Sequence, residues 1–283
     1  MDSVTAASVS HKPTIVDARV VVRDGCAIAT RLYGDLGAGL PRIALIHSLA
    51  MDRLFWAAVA EHLAGAAAIL TYDCRGHGES DKPAGPYAIK QFADDLADVM
   101  NHFGWRNAAI AGASMGGCVA LGFAAAYPAR TAALGLIDTT AWYGIEAPKQ
   151  WAERAERAAQ GGMQALVEFQ TKRWFGDAFR AQNPDLVARA VATFLNNDLR
   201  AYAATCEMLG AADLRAHLPA LKMPAVVVVG EEDYATPIAM AEAMHRDIPG
   251  SELVILAGAR HFPPLERPGE IAKQLRRLLN RIK

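Results

Sequence analysis

A serine flanked by two glycines, in Gly112-Ala-Ser114-Met-Gly116, carries the clearest chemical signal in this chain. It follows an apolar run that predicts a strand and precedes an Ala- and Leu-rich run that predicts a helix. A serine on such a tight turn has a strained backbone and needs small neighbours. Its hydroxyl is then exposed at the amino end of the helix, where N–H groups point outward. The pattern predicts that Ser114 is a nucleophile; a serine that only fills the turn is the alternative.

A nucleophilic serine needs a base that takes its proton and an acid that orients the base. His261 follows the last predicted strand, and Asp233 follows the strand before it. The carboxyl ends of parallel strands meet at one edge of a sheet, where Ser114 is also expected. The chain order Ser, Asp, His is the order that accompanies this serine turn. We therefore predict a catalytic triad of Ser114, His261 and Asp233.

The choice of acid has competitors, because other carboxylates lie nearby in the predicted fold. Glu231 and Glu232 share the loop of Asp233, and Asp138 ends the strand before a long helical region. The Asp-X-X-X-Pro context of residues 233–237 favours Asp233.

The oxyanion of an acyl-transfer reaction needs two main-chain N–H donors. Met115, directly after the nucleophile, is the first predicted donor. The second is expected in the turn after the strand that ends at His47, and Leu49 is the predicted donor there. Neither side chain is expected to take part in the chemistry.

A second marker is the polar turn Tyr72–Asp81, which contains Asp73, Arg75 and His77 among glycines. The glycines suit a tight turn. Carboxylate, guanidinium and imidazole groups at this spacing can form a network that holds neighbouring loops together. We interpret these three residues as structural rather than catalytic.

The elements that must position these residues alternate between strand and helix almost throughout the chain. The strands are continuous apolar runs, which indicates a mostly parallel sheet with helices on both faces. An opening antiparallel hairpin is predicted around Asp24 and Gly25. The predicted fold class is therefore α/β.

One region interrupts this alternation. Residues 140–215 lack strand signals, have the pattern of several helices and are rich in aromatic side chains. We predict that they form an inserted helical cap over the carboxyl ends of the strands, where open α/β sheets bind ligands. The α/β core then comprises residues 15–139 and 216–283, and residues 1–14 form a flexible N-terminal arm.

Composition narrows the class of protein. Apolar residues make up 52% of the 283, enough for a large core, and the formal net charge is −1. That charge gives no reason to expect nucleic acid or an anionic membrane as a partner. The four cysteines are scattered without a CxxC pair, which favours reduced thiols and a cytoplasmic protein. Neither metal-ligand spacing nor a phosphate- or dinucleotide-binding motif is present, so no metal and no cofactor is expected. The sequence leaves open whether the chain forms a homo-oligomer.

Over nearly its whole length the chain resembles enzymes of the α/β-hydrolase fold superfamily, and within it the chain is most similar to 3-oxoadipate enol-lactonases. The superfamily motifs are His-Ser-Leu (47–49), Asp-Cys-Arg-Gly-His-Gly-Glu-Ser (73–80), Gly-Ala-Ser-Met-Gly-Gly (112–117), Gly-Glu-Glu-Asp (230–233) and the final His261. The features shared with the lactonases are His-Ser-Leu, Gly-Pro-Tyr (85–87), Arg-Trp-Phe (173–175) and the segment Tyr202–Arg215. The resemblance implies the α/β-hydrolase fold and a serine hydrolase without a cofactor, in aromatic catabolism.

Two departures from the lactonases bear on the substrate. Ala50 stands where they tend to carry Gly, and Trp142-Tyr143 stand where they tend to have smaller or more polar residues. These departures favour a more apolar acyl group. We predict that Trp142, Trp174 and Arg173 bind substrate, the aromatic rings by filling volume and the guanidinium by pairing with a carboxylate. A structural ion pair is the alternative role for Arg173.

The predicted reaction is hydrolysis of a small ester or lactone through an acyl-enzyme. Other readings are a general carboxylesterase, a C–C bond hydrolase of aromatic ring-cleavage products, and a lactonase of acyl-homoserine lactones. A ligand sensor that keeps the fold and the triad but turns over slowly is the alternative from a different class. Haloalkane dehalogenation is disfavoured, because those relatives use Asp at the nucleophile position.

Overall fold

Eight strands form one sheet in the computed structural model, which describes residues 14–34 and 39–282. The strands are β1 (Ile15–Val21), β2 (Ala27–Tyr33), β3 (Arg42–Ile46), β4 (Ala68–Tyr72), β5 (Ala108–Ala113), β6 (Thr131–Ile137), β7 (Ala225–Gly230) and β8 (Glu252–Leu256). Their order in the sheet is β1-β2-β4-β3-β5-β6-β7-β8. The β1–β2 and β2–β4 pairs are antiparallel, and the remaining neighbours are parallel. The predicted opening hairpin and mostly parallel sheet are confirmed.

Helices flank the sheet and also fill the region between β6 and β7. They are α1 (Ala57–Leu63), α2 (Ile89–His102), α3 (Met115–Ala126), α4 (Ala147–Gly161), α5 (Val167–Trp174), α6 (Asp177–Gln182), α7 (Pro184–Leu195), α8 (Leu199–Ala211), α9 (Ile238–Asp247), α10 (Pro263–Glu266) and α11 (Pro268–Leu279). Every residue of β5 and β7 is buried. Burial along a whole strand requires cover on both faces of the sheet, as the apolar runs predict.

The helix α2 packs its apolar stripe against α3, and this stripe follows the predicted spacing of 3.6 residues. Phe92, Leu96 and Met100 are all buried on it. Asp95 is buried as well, although its place off the apolar stripe predicts exposure. The reason is a partner from the polar turn, since Arg75 Nε donates to Asp95 Oδ2 over 2.6 Å. A buried carboxylate is tolerated when such a charged group pairs with it.

The polar turn is a network of structural contacts, which agrees with its interpretation from the sequence. Asp73 accepts from the main-chain N–H and the guanidinium of Arg53, each over 2.6 Å. The ring Nδ1 of His77 lies 3.0 Å from Arg75 O, and Arg75 also pairs with Asp24 of the opening hairpin. These contacts connect the loop after β4 with α2, the hairpin and the turn before α1.

Residues 140–215, which we call the cap, contain the helices α4 to α8. Within the cap α4 packs along α8. A single main-chain bridge between Trp142 and Asp213 joins its two ends where they leave the core. The predicted N-terminal arm lies outside the described residues except for its last residue.

The four cysteines, Cys26, Cys74, Cys118 and Cys206, are buried and unpaired, which agrees with their expected reduced state. Within residues 14–34 and 39–282, none of the helices combines the length and the apolar character that a bilayer crossing requires.

Candidate active site

Ser114 lies at the junction of β5 and α3 with φ 53° and ψ −117°, a conformation that L-residues rarely adopt. Its glycine neighbours are required by space. A Cβ on Gly112 would lie 2.0 Å from Gly116 O, and a Cβ on Gly116 would lie 2.2 Å from Ile46 O. The Ser114 N–H donates to Ile137 O over 2.9 Å, which ties the turn to β6. The predicted strained turn is therefore present, with the hydroxyl presented at the start of α3.

The structure brings the three residues of the predicted triad together. The Nε2 atom of His261 lies 2.9 Å from the Ser114 hydroxyl, and its Nδ1 atom lies 2.8 Å from Asp233 Oδ2. All three side chains are buried. A carboxylate can only accept a hydrogen bond, so the Nδ1 atom that faces Asp233 carries the proton. Nε2 is then left to accept a hydrogen bond from the serine hydroxyl. The arrangement can transfer a proton from a hydroxyl to an imidazole.

Asp233 is held as a carboxylate by four hydrogen bonds. Its Oδ1 accepts from the main-chain N–H groups of Ala235 and Thr236, and its Oδ2 accepts from the Thr236 hydroxyl and from His261. Burial disfavours the charge, but the imidazole of His261 and these donors outweigh it and lower the pKa of Asp233 to about 2. The side chain is therefore ionised at neutral pH and fixed in orientation.

The other acids considered from the sequence do not bond to His261. Glu231 accepts from the N–H of Gly258, and Glu232 pairs with Arg260. Asp138 accepts from the N–H of Gly230 over 2.8 Å. Of the four candidate acids, Asp233 is the one in hydrogen-bond contact with the imidazole.

The loop that carries His261 is pinned by the end of α5 in the cap. The N–H of His261 donates to Arg173 O over 3.3 Å, and the N–H of Phe262 donates to Trp174 O over 3.0 Å. The Trp174 and Phe262 rings stack with centroids 4.9 Å apart. The cap thus takes part in placing the histidine, a contact that no local sequence pattern indicates.

Two N–H groups are available for an oxyanion next to Ser114. Met115 is the first residue of α3, so its N–H has no acceptor within that helix. The N–H of Leu49 makes no hydrogen bond in the described loops, and Leu49 lines the cavity beside Ser114. The ring of His47 steadies this turn, with Nδ1 2.8 Å from Ser48 O and Nε2 accepting from the N–H of Cys74. Neither predicted donor N–H thus has a hydrogen-bond acceptor among the described residues.

A cavity of about 490 Å³ separates this edge of the sheet from the cap. Its volume falls within the range of small-molecule sites. Ser114 and His261 lie on one wall, and residues of α4 and α5 form the other. The aromatic rings of Tyr143, Trp151 and Trp174 give that second wall an apolar surface.

Three arginines of the cap line the same cavity, Arg154, Arg157 and Arg173, together with Glu153. Arg154 Nε donates to the Tyr202 hydroxyl over 2.7 Å, and its guanidinium lies 4.8 Å from the Trp151 ring centroid. Arg173 contacts Tyr234 O over 3.4 Å. Among the described residues, none of these three arginines forms an ion pair with a carboxylate. Burial and the charge of Arg154 lower the pKa of Arg173, but arginine stays charged at neutral pH.

The substrate-binding prediction is corrected for one residue. Trp174 and Arg173 line the cavity, whereas Trp142 does not. The guanidinium of Arg215 covers the Trp142 ring at 3.7 Å from its centroid, and the main chain of Trp142 pairs with Asp213. Trp142 therefore packs at the base of the cap, because Asp213 and Arg215 at the other end of the cap segment contact it there.

Sequence reasoning missed the arginine that stands out in the cap. The predicted substrate site does not include Arg154. Trp151, Arg154 and Arg157 all lie on α4 and line the cavity. They follow one another at steps of three residues, which places them on one face of the helix and was the available signal. An amphipathic helix with cationic residues on its inner face does not follow the usual apolar pattern and so escapes a search for apolar stripes.

The chain matches the family model of the alpha/beta hydrolase fold over residues 41–268. The chain belongs to this family. It is 29% identical over 237 residues to 3-oxoadipate enol-lactonase 2 of Acinetobacter baylyi, an alignment that covers 83% of this chain and 88% of the relative. The predicted fold class and the predicted superfamily are therefore confirmed, and the protein is a hydrolase of the α/β fold.

Solved structures give the same result. The enol-lactonase from Burkholderia xenovorans superposes with a TM-score of 0.89 at 33% identity, over 93% of this chain and all of the other. A thermophilic esterase from Thermogutta terrifontis, with malate bound, superposes with a TM-score of 0.86 at 30% identity, over 94% of this chain and 99% of the other. The chain is thus similar over nearly its whole length to both an enol-lactonase and an esterase.

Proposed function

We propose that this protein is a serine hydrolase that opens a small lactone or ester carrying a carboxylate. An enol-lactone of the 3-oxoadipate type is the substrate we favour. The observation that carries the proposal is the hydrogen-bonded series of Ser114, His261 and Asp233 on the wall of a cavity that also contains three arginines, none of them in an ion pair within the described part of the chain. The enol-lactonase relatives support the choice of a lactone.

In the first half-reaction Ser114 Oγ attacks the lactone carbonyl while His261 Nε2 accepts the hydroxyl proton. The tetrahedral oxyanion accepts hydrogen bonds from the N–H groups of Leu49 and Met115. Asp233 holds the imidazole in the required tautomer and balances the imidazolium charge. Collapse of the intermediate breaks the ring C–O bond and forms the acyl-enzyme. The leaving enolate oxygen takes the proton from His261 Nε2, and the imidazole is neutral again for the second half-reaction. Because an enolate is a stabilised anion, the C–O bond needs little help from this proton to break.

In the second half-reaction a water molecule gives its proton to His261 Nε2 and attacks the acyl carbon. The same two N–H groups stabilise the second oxyanion. His261 then returns the proton to Ser114 Oγ, and the ester bond to the enzyme breaks. The products are the carboxylic acid and the restored serine, and no cofactor is needed for this balance.

Arg154 and Arg173, the two cap arginines that are partly buried, favour an anionic substrate over a plain alkyl ester. A guanidinium without a carboxylate partner in a half-buried cavity is costly, and a substrate carboxylate would remove that cost through paired N–H···O bonds. Arg154 is the better placed, because Tyr202 fixes its Nε and leaves its other nitrogens for a ligand. The bound malate of the esterase relative, itself a carboxylate ligand, is in keeping with this. We therefore expect a more acidic substrate than the apolar acyl group that Ala50 and Trp142 predict from the sequence.

The test is a comparison of kcat/KM across matched substrates with the purified protein. We would measure the enol-lactone, its neutral methyl ester, acetyl and butyryl nitrophenyl esters, a ring-cleavage diketone and an acyl-homoserine lactone. We expect the anionic lactone to exceed its methyl ester by roughly tenfold or more. A covalent acyl adduct on Ser114, detected by mass spectrometry after rapid quenching, is also expected. Turnover of the diketone alone, or binding without turnover of any substrate, would contradict the proposal.

A further inference from the structure

Asp138 is a buried carboxyl group that the proposed mechanism does not use. It follows β6 with φ 44°, and its N–H donates to Val228 O over 2.8 Å. Its Oδ1 accepts from the N–H of Gly230. These two bonds, one from the main chain and one to the side chain, fix Asp138 between β6 and β7. Its Oδ2 finds no hydrogen-bond partner among the residues that the structure describes.

The position of Asp138 next to the triad determines its charge. Oxygen or nitrogen atoms of Asp138, Asp233 and His261 all lie within 4.8 Å of one another. Two carboxylates this close cannot both ionise in a buried site. Asp233 has four donors and Asp138 has one, so Asp233 holds the negative charge. Burial and the charge of Asp233 raise the pKa of Asp138 well above its usual value.

The location of the proton follows from the hydrogen bonds. Oδ1 of Asp138 is occupied as an acceptor by the Gly230 N–H, so the proton is on Oδ2. The negative charge nearest to this proton is on Asp233, whose carboxylate belongs to the same cluster of atoms within 4.8 Å of one another. The remaining charged groups facing the cluster are Glu266, anchored by the N–H groups of Gly176 and Arg260, and Arg173 of the cap.

We propose that Asp138 is a positioning residue of the triad: a neutral carboxylic acid whose Oδ2–H faces the Asp233 carboxylate and limits how strongly that carboxylate stabilises the imidazolium of His261. The role in turnover rests on the proposed serine mechanism, whereas the protonation state of Asp138 does not. Loss of this donor makes Asp233 a stronger partner for the imidazolium. His261 then keeps its proton to higher pH and is less available as a base.

Two variants separate a neutral donor from a carboxylate. Asp138→Asn keeps an acceptor for the Gly230 N–H and an N–H donor towards Asp233, and asparagine tolerates a positive φ. Asp138→Ala removes both groups. We expect the ascending limb of kcat/KM against pH to move to higher pH by about half a unit in Asp138→Ala, which lowers the activity on that limb by roughly threefold. We expect Asp138→Asn to restore the wild-type limb and to keep most of the activity.

Two outcomes would overturn the proposal. A loss of more than tenfold in Asp138→Asn would mean that an ionised carboxylate is required at this position. A wild-type pH profile in Asp138→Ala would mean that the carboxyl group is structural only. Asp233→Asn is the comparison variant, with a loss on the order of 10⁴-fold expected for a triad acid.

A second measurement does not depend on turnover or on the folding of the alanine variant. Infrared difference spectra of wild type and Asp138→Asn at neutral pH should contain the carbonyl band of one protonated carboxylic acid. The other buried acids are present in both proteins and cancel. Absence of that band would refute the neutral state of Asp138. If the wild type hydrolyses no substrate but the band is present, the proposed function fails while the assignment of the proton stands.

Discussion

The two walls of the cavity are held in different ways. On the sheet side, Ser114 and Asp233 follow the ends of β5 and β7 and are fixed by main-chain hydrogen bonds and backbone geometry. On the cap side, Arg154 and Arg173 project from helices and are held by one phenol and one carbonyl oxygen. In the proposed mechanism the chemistry is therefore carried by rigid strand ends. Substrate choice would be carried by side chains that can be exchanged without disturbing the sheet.

This difference explains how one sheet edge can serve enzymes with different substrates. The chain is similar both to an enol-lactonase and to an esterase over nearly its whole length. A change at Arg154 alters the charge of the cavity but no strand contact. A change at Gly116 would push a Cβ to within 2.2 Å of Ile46 O and disturb the turn itself. The sheet wall therefore constrains its residues far more tightly than the cap wall does.

The largest effect is expected from replacing the predicted nucleophile on the sheet side of the cavity. Ser114→Ala removes one hydroxyl and introduces no new contact, so hydrolysis should fall by about 10⁴-fold or more while the unfolding midpoint stays unchanged. Steady-state kinetics and urea unfolding check both parts. Ser251→Ala, far from the cavity, is the matched control and should keep its activity. A Ser114→Ala protein with activity within tenfold of wild type would refute the serine mechanism.

The next effect concerns the stability of the polar turn behind the sheet wall. Burial lowers the pKa of His77 to about 3 from the model-compound value of 6.5. Below pH 6.5, His77 therefore binds a proton in the unfolded chain but stays neutral in the folded chain. The stabilisation is complete above pH 6.5 and is lost as pH falls towards 3, by on the order of 4 kcal/mol over the whole window.

The variant that checks this is His77→Asn, whose amide can still donate to Arg75 O as His77 Nδ1 does over 3.0 Å. Urea unfolding between pH 7.5 and pH 4.5 should give a flatter stability curve for His77→Asn than for wild type. His102→Asn, at an exposed position, is the control and should follow the wild-type curve. Parallel curves for wild type and His77→Asn would show that another group causes the loss.

A smaller effect is expected from breaking the cap side at Arg154. Arg154→Gln should lower kcat/KM for the anionic lactone by about 100-fold, since a substrate carboxylate would lose its charged partner. The neutral methyl ester should change by less than about threefold. Lys149→Gln removes the same charge from the exposed face of α4 and is the matched control. Equal losses for the anionic and neutral substrates would mean that Arg154 does not bind a carboxylate.

The smallest effect concerns the aromatic residues of the cap. Trp151→Ala enlarges the cavity and should shift the ratio of butyryl to acetyl ester turnover by roughly tenfold. Trp142→Ala should leave that ratio unchanged, because Trp142 packs under Arg215 outside the cavity. It should instead lower the free energy of unfolding by about 1 kcal/mol through the lost cation–π contact. If Trp142→Ala also shifted that ratio, Trp142 would have to contact the substrate after all.

Sequence patterns predict the sheet side of the molecule well because each signal there is local. The apolar runs predict strands such as β5 and β7, and the glycines around Ser114 predict the strained turn that joins β5 to α3. The same patterns fail at Asp95. Its spacing on α2 predicts an exposed side chain, but Arg75, twenty residues earlier, draws it into the interior.

The sequence by itself determined the α/β fold class and the residues expected at the sheet edge, Asp233 among them, because strands and their ends follow from short local patterns. Only the tertiary structure decided the order of the strands in the sheet, that Trp142 lies outside the cavity and that Arg154 lies within it. The last two depend on contacts between distant segments: Arg215 covers Trp142, and 48 residues separate Arg154 from Tyr202. Such contacts arise from how the cap packs on the sheet, and packing of this kind leaves no periodic signal in the chain.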